Sequence, residues 1–217
     1  TQYCDEHHLT PAQRLELCDT ICTEAERMER LVGNILDMVR LESGGLTPKR
    51  EWVPLEETVG SALSRLETKL GTRPVRVELP RDLPLLSVDP VLFEQVFVNL
   101  FENVIRHGGA ETPIEVSARP VGQTVEIEVA DRGPGLPPGA ESQVFEKFYR
   151  GPGVRAGGVG LGLPICRGIL RAHGGTITAG NRPGGGAALR IVVPIPGPPP
   201  STAPPGDLPR VDPEGDA

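Results

Sequence analysis

Between Thr10 and Glu42, Cys18, Ile21, Ala25, Met28, Val32, Ile35 and Val39 recur at alternating spacings of three and four residues. That rhythm is the seam of a heptad helix. Thr10 suits the N-cap with Pro11 at the first helical position, and Gly44-Gly45 form the stop. Leu17, Leu31, Leu36 and Leu41 widen the apolar stripe beyond a two-stranded seam, which predicts a helical bundle. One helix cannot bury such a face alone, so its partners must be another chain, an upstream helix, or both.

From Glu51 to Pro196 the pattern alternates between helical and extended periods. Leu55 to Leu70 predicts a helix, Val75 to Leu79 a strand, and Pro90 to His107 a strongly apolar helix. Ile114 to Ala118 and Val125 to Ala130 predict paired strands around Gly122. Gly162 to His173 predicts a further helix, and Thr176 to Ala179 with Ala187 to Val193 a hairpin across a Gly-rich turn. Helices and strands in this mixed order predict an α+β chain, a two-layer α/β sandwich preceded by one long bundle-forming helix. From Pro194 to Ala217 there are nine prolines in 24 residues and almost no large apolar side chains, so that tail is expected to be disordered. The resulting division is a linker over 1–9, a bundle helix over 10–45, the sandwich over 46–196 and the Pro-rich tail over 197–217.

Composition narrows the classes. With 38% hydrophobic and 24% charged residues the 217-residue chain is expected to be a soluble globular protein. Its 27 glycines and 24 prolines lack a Gly-X-Y period, which excludes collagen. A net charge of -7 argues against a protein that grips nucleic acid through its phosphates, and no nucleic-acid partner is expected. No uncharged apolar run approaches the roughly 18 residues of a membrane span, and no signal peptide opens the chain. Cys4, Cys18, Cys22 and Cys166 have no metal spacing and are expected to be reduced thiols of a cytoplasmic protein.

Four clusters carry candidate chemistry. On the helix from Asn99 to His107, Asn99, Asn103 and Arg106 share a face one turn apart. Two carboxamides and a cation there can hold a hydrated Mg²⁺ and the phosphates it bridges, although the same pattern also suits a solvated polar face. Asp131-Arg132-Gly133-Pro134-Gly135 follows a strand. Its Asp can accept a hydrogen bond from an exocyclic amine and its glycines allow close approach, unless it is an ordinary turn. Phe145-Glu146-Lys147-Phe148-Tyr149-Arg150-Gly151 interleaves aromatics and cations that could cover a nucleotide, with core packing as the commoner role for its two Phe. Gly157-Gly158-Val159-Gly160-Leu161-Gly162-Leu163 leads into a helix, where bare N–H groups and the helix dipole favour phosphate. It is neither a Walker loop nor a dinucleotide fingerprint.

In this order and spacing the clusters resemble the N, G1, F and G2 boxes of the ATP-binding catalytic domain of sensor histidine kinases, a fold shared with gyrase, Hsp90 and MutL. The resemblance covers about Leu9 to Pro196, and the heptad helix is similar to the second helix of the dimerisation and phosphotransfer domain. Within the family, Leu36 to Gly45, Glu51-Trp52, Glu56 to Leu63 and Asn181-Arg182-Pro183 look most like the KdpD-type potassium-responsive kinases. The resemblance implies ATP and Mg²⁺ as cofactors. Asn103 with Asn99 is then the Mg²⁺ pair, Arg106 stands where Lys is usual, and His107 stands where a ring often stacks on adenine. Asp131 is implied to bind the adenine amine, and Gly133 and Gly135 to shape the pocket floor. Gly158, Gly160 and Gly162 become the lid hinge, and Lys147, Phe148, Arg150 and Leu163 further ATP contacts. The hydrolytic relatives carry a general-base Glu where this chain has Asn99, which favours transfer to a nucleophile other than water.

Histidine kinases carry their acceptor as His followed by an acidic residue, with Pro five residues after the His. Here Glu6 stands five before Pro11, and neither His7 nor His8 precedes an acid. Both are expected to be exposed linker residues, and His173 structural. The chain is thus expected to hold the ATP site of a kinase without its acceptor helix, with no autophosphorylation in cis and no certain catalytic residue. The resemblance further implies a response regulator and an acceptor helix as partners, a homodimeric parent, and a cytoplasmic location as part of a bacterial inner-membrane sensor. The competing expectation is a non-catalytic nucleotide-binding or dimerisation module, and an anti-sigma-type serine kinase is a distant third.

Overall fold

Residues 10–109, 112–151 and 159–197 are described by the computed structural model. The expected linker over 1–9, with His7 and His8, and all of the expected tail except Gly197 lie outside them. Helix α1 (Pro11–Glu42) begins in a capping box: the Gln13 N–H donates to Thr10 Oγ1 while the Thr10 N–H donates to Gln13 Oε1 at 2.9 Å. It ends where Gly44 takes φ +66°, a conformation glycine adopts without strain.

The remaining elements are β1 (Glu51–Val53), α2 (Leu55–Arg65), α3 (Glu67–Leu70), β2 (Val75–Glu78), β3 (Leu86–Val88), α4 (Pro90–His107), β4 (Ile114–Val121), β5 (Thr124–Ala130), a 3₁₀ turn (Gln143–Phe145), α5 (Gly162–Ala172), β6 (Thr176–Asn181) and β7 (Ala187–Pro194). Five strands form one sheet in the order β2-β4-β5-β7-β6, and β1 pairs with β3 apart from it. Among the described residues, the β2–β4 pair is the one parallel pair in the large sheet, with Val75 opposite Ile114. The expected hairpins around Gly122 and across the Gly-rich turn are both present.

One sheet face is apolar and the other charged. Ile114 and Val116 of β4, Val125, Ile127 and Val129 of β5, and Ile191 and Val193 of β7 are buried. Alternate residues on the far face form cross-strand ion pairs, Arg119 with Glu126 at 2.6 Å and Arg190 with Glu128 at 2.7 Å. Helix α4 buries Phe93, Val96, Phe97, Leu100, Phe101 and Val104 at helical spacing, each large side chain stabilising by roughly 1.5–3 kcal/mol. Helices α2 and α5 flank it, α5 through Ile165, Cys166, Ile169 and Leu170. This is the two-layer sandwich of the α+β class that the sequence predicted.

Three differences have physical reasons. The helix expected over Leu55 to Leu70 breaks at Leu66, whose N–H turns back to Leu63 O and whose side chain is buried. Strands β1 and β3 are three residues each, too short for a period to register in the sequence. Helix α1 also has a second apolar face. Leu41 packs against the core and lies over Gly168 of α5, where an added Cβ would sit 2.7 Å from Leu41 Cδ1. Leu31 is half-buried beside α4 and α5, so neither leucine widens the bundle stripe as expected. The seam residues Ile21, Met28, Val32, Ile35 and Val39 remain exposed. A hydrogen bond of 2.6 Å from Gln95 Nε2 to Asp37 Oδ2 fastens α1 to α4.

Candidate functional site

Asp89 caps the start of α4, its Oδ1 accepting from the Val91 and Leu92 N–H groups. The helix runs with its Phe face on the core and sends Asn99, Asn103, Arg106 and His107 to the opposite side at its far end. There they line a cavity of about 520 Å³. Asp131, Gly135, Arg150, Gly160, Gly162 and Leu163 line the same cavity, so ten of the residues singled out in the sequence converge.

Asp131 sits where β5 ends. It is 7% exposed, and its backbone N–H donates to Ala187 O on β7. Its Oδ1 accepts from the Gly133 N–H at 2.7 Å and the Ala187 N–H at 3.3 Å. Among the described residues both bonds go to that one oxygen, which leaves Oδ2 for a ligand donor. A Cβ on Gly133 would lie 2.7 Å from the Gly108 backbone, so the loop can close on the end of α4 only with glycine there. Gly133 therefore stands behind the cavity wall rather than in it.

Among the described residues, Asn99 buries its Nδ2 with no oxygen or nitrogen partner, the Cys166 thiol being its polar neighbour. Burial pushes that thiol up to about 12, so Cys166 packs as a neutral group. Across from Asn99 begins α5. Among the described residues no side chain caps its N-terminus and its first turn carries no acid, so the positive end of an 11-residue helix opens beside Asn99. An added Cβ on Gly160, at φ +74°, would lie 2.6 Å from Tyr149 O, and the Phe148 N–H donates to Gly160 O at 3.0 Å. The third and fourth clusters are thus locked together, backbone to backbone. His107 has its imidazole pKa lowered, first by desolvation and then by Arg106, with Asp131 opposing.

Other expected residues lie elsewhere. Lys147 and Phe148 are exposed and do not line the cavity. Phe145 is buried as a core residue, whereas core packing for Phe148 is corrected: it is 63% exposed, because a φ of +63° turns its side chain outward. Gly158 lies outside the described residues. The structure adds Glu102, Tyr149, Leu31 and Asn34 to the cavity wall. Glu102 and Tyr149 fell within quoted clusters and were legible. Leu31 and Asn34 come from α1 by a tertiary contact that no local pattern announces. The Glu102 carboxylate is held by Lys69 Nζ at 2.6 Å.

The donor set suits a nucleotide with a divalent ion. Two carboxamides one turn apart that can offer oxygen, an uncapped helix start and an Asp with one open oxygen are the partners that phosphate, Mg²⁺ and adenine need. Among the described residues no group of three or more His, Cys, Asp or Glu is placed to hold a metal by itself, and no helix is long and apolar enough to cross a membrane.

Comparison with known proteins agrees with this geometry. The family of histidine kinase-, DNA gyrase B- and HSP90-like ATPases matches residues 88–197. The sensor protein KdpD of Escherichia coli (strain K12) is 52% identical over 166 residues, 76% of this chain and 18% of that protein. KdpD of Clostridium acetobutylicum is 31% identical over 185 residues, 84% of this chain and 21% of that protein, so the chain spans about a fifth of these relatives. Among solved structures, full-length ShkA in complex with AMPPNP superposes with a TM-score of 0.71 at 25% identity, over 86% of this chain and 39% of that one. From the strand entering α4 to the end of the sheet, the chain belongs to the histidine kinase-, DNA gyrase B- and HSP90-like ATPase family.

Proposed function

We infer that this chain is the ATP-binding phosphotransfer region of a KdpD-like sensor histidine kinase, acting on a histidine that lies on a separate helix. The observation that carries this reading is the convergence of Asp131, Asn103 and the uncapped start of α5 on one cavity. Asp131 Oδ2 takes the exocyclic amine of adenine, which sets the base at the sheet end of the cavity. Asn103, with Asn99, offers oxygen to Mg²⁺, and Arg106 and Arg150 stand at the same wall for the phosphates. Bound Mg²⁺-ATP supplies the phosphoryl group and the charge neutralisation its transfer requires. Asn99 cannot take a proton from water as a carboxylate does, and Glu102 is tied to Lys69, which favours a protein nucleophile over hydrolysis. ShkA was solved with an ATP analogue, and a response regulator is the partner this reading gives the parent kinase.

Calorimetry with an ATP analogue, with and without Mg²⁺, on the wild-type chain and on Asp131→Asn tests the reading. Micromolar, Mg²⁺-dependent binding is expected, weakened about 10- to 100-fold by the substitution, since a buried charged hydrogen bond is lost. Absence of binding at millimolar nucleotide by a folded sample would overturn it. Phosphate transfer to a separately supplied His-bearing helix then separates a kinase from a nucleotide-binding module that acts by association alone. The exposed seam of α1 favours association in either case, and in the parent it serves a homodimer.

A further inference from the structure

The turn between β6 and β7 lies outside all four clusters, yet it holds the segment that carries Asp131. Asn181, the last residue of β6, pairs its carboxamide with one residue of that segment. The Leu136 N–H donates to Asn181 Oδ1 at 2.6 Å, and Asn181 Nδ2 donates to Leu136 O at 3.0 Å. This is the pattern of a strand rung made by a side chain. It requires glycine next door, because a Cβ on Gly135 would lie 2.5 Å from Asn181 Oδ1. Arg182 holds the other end. Its Nη1 donates to the backbone oxygen of Asp131 at 3.3 Å, and its Nη2 pairs with Glu115 Oε2 at 2.8 Å.

Glu115 also receives Arg132 Nε at 3.3 Å, so one carboxylate on β4 anchors the residue after Asp131 and the arginine that grips Asp131 itself. Burial acts to raise the Glu115 carboxyl, but the hydrogen bonds from Arg182 and Arg132 outweigh it and hold it below the usual carboxylate range. The Arg182 side chain is 16% exposed, which makes its pairing a fixed strut rather than a surface contact. Gly186 closes the arrangement: a Cβ there would fall on the Asp131 carbonyl oxygen.

We propose that Asn181 and Arg182 are positioning residues of the nucleotide site. They clamp the backbone on both sides of the glycines and so aim Asp131 Oδ2 at the base. The proposal rests on the reading of the cavity as an adenine nucleotide site, and it makes base selectivity a property of the β6–β7 turn. The aim of a carboxylate is read by comparing ATP with ITP, whose base carries a carbonyl oxygen in place of the exocyclic amine. A well-aimed acceptor favours the amine and repels the carbonyl.

The experiment measures Mg²⁺-dependent affinity for ATP and ITP in the wild-type chain, Asn181→Ala, Arg182→Gln and Arg190→Gln, with circular dichroism checking the fold. The wild type is expected to prefer ATP by at least about tenfold, and both turn variants to lose most of that ratio, through weaker ATP binding and, as the repulsion is relieved, ITP binding that is unchanged or tighter. Arg190→Gln, which breaks an exposed pair on the far face of β7, should leave the ratio unchanged. On an Asp131→Asn background, Arg182→Gln should not change the ratio further. If the turn variants weaken ATP and ITP equally, or leave the ratio intact, the residues only stabilise the fold and the proposal fails. Should either variant unfold, Arg182→Lys, which can keep the Glu115 pair but not the second bond, reads the same ratio. A wild-type chain that binds neither nucleotide would instead overturn the nucleotide-site reading itself.

Discussion

Replacing His173 with Phe keeps a ring of similar volume while removing two hydrogen bonds. His173 is 1% exposed at the end of α5. The Asp89 N–H donates to its Nε2 at 2.9 Å, so Nε2 is unprotonated, and Nδ1 lies 2.8 Å from Ile169 O, which it can reach only as a donor. The ring is therefore the neutral Nδ1–H tautomer, tying the end of α5 to the start of α4, with its edge on Phe93 at 6.0 Å. In His173→Phe the half-buried Asp89 N–H loses its partner, at about 1–3 kcal/mol, and the Ile169 carbonyl loses one of its donors. A loss of about 2–3 kcal/mol at pH 7.5 follows, or about 4–12 °C in the unfolding midpoint for a chain of this size.

The same geometry sets a pH dependence. The His173 pKa is lowered from 6.5, first by desolvation and also by Arg50, with the Ile169 carbonyl and Asp89 opposing. A depressed folded-state pKa means that the unfolded chain binds the proton first. The contribution is thus complete above pH 6.5 and is lost as pH falls below it towards the folded value. One proton is worth about 1.4 kcal/mol per pH unit, so between pH 6.5 and pH 5 the wild type should lose up to about 2 kcal/mol relative to His173→Phe. Urea unfolding at half-unit pH steps measures both effects, and subtracting the variant removes the parallel contribution of His107. Equal stabilities at pH 7.5, or curves that stay parallel below pH 6.5, would refute the neutral-tautomer strut.

Other substitutions follow from the same contacts. Gly186→Ala, at φ +94° and against the Asp131 carbonyl, should cost about 2–4 kcal/mol in denaturant unfolding and weaken nucleotide binding with it. Gly60→Ala, on α2 with nothing within 4 Å, should instead stabilise by about 0.5–1 kcal/mol in the same measurement. Asp37→Ala removes the bond to Gln95 and should raise amide hydrogen exchange along the second half of α1, while exchange in α4 and the sheet stays within about twofold. Unchanged exchange in α1 would show that the apolar contacts of Leu31 and Leu41 hold the helix down without this bond.

Local periodicity made most of this chain legible. The Phe93, Phe97, Phe101 stripe with Asn99 and Asn103 on the other side is a property of a 3.6-residue repeat, and it assigns a core face and a site face before any fold is known. The same holds for Thr10 and Pro11 at the start of α1, and for glycines leading into α5. Phe148 shows where local rules stop. Its residue type argues for the core, but the Gly160 backbone captures its N–H and its side chain ends outside. Leu31 and Leu41 are similar, since their spacing fits a bundle stripe as well as a second face.

The sequence by itself determined the identity of the longer elements, the two-layer class and the family of the site, because these follow from side-chain period, capping chemistry and glycine placement within short windows. Only the tertiary structure decided which residues outside those windows complete the site. Asn181 meets Leu136 across 45 positions and Arg182 meets Asp131 across 51. Leu31 and Asn34 reach the cavity from a separate helix. Such pairings depend on strand register and helix docking, which are settled by burial summed over the whole core, and no short window of the chain contains that sum.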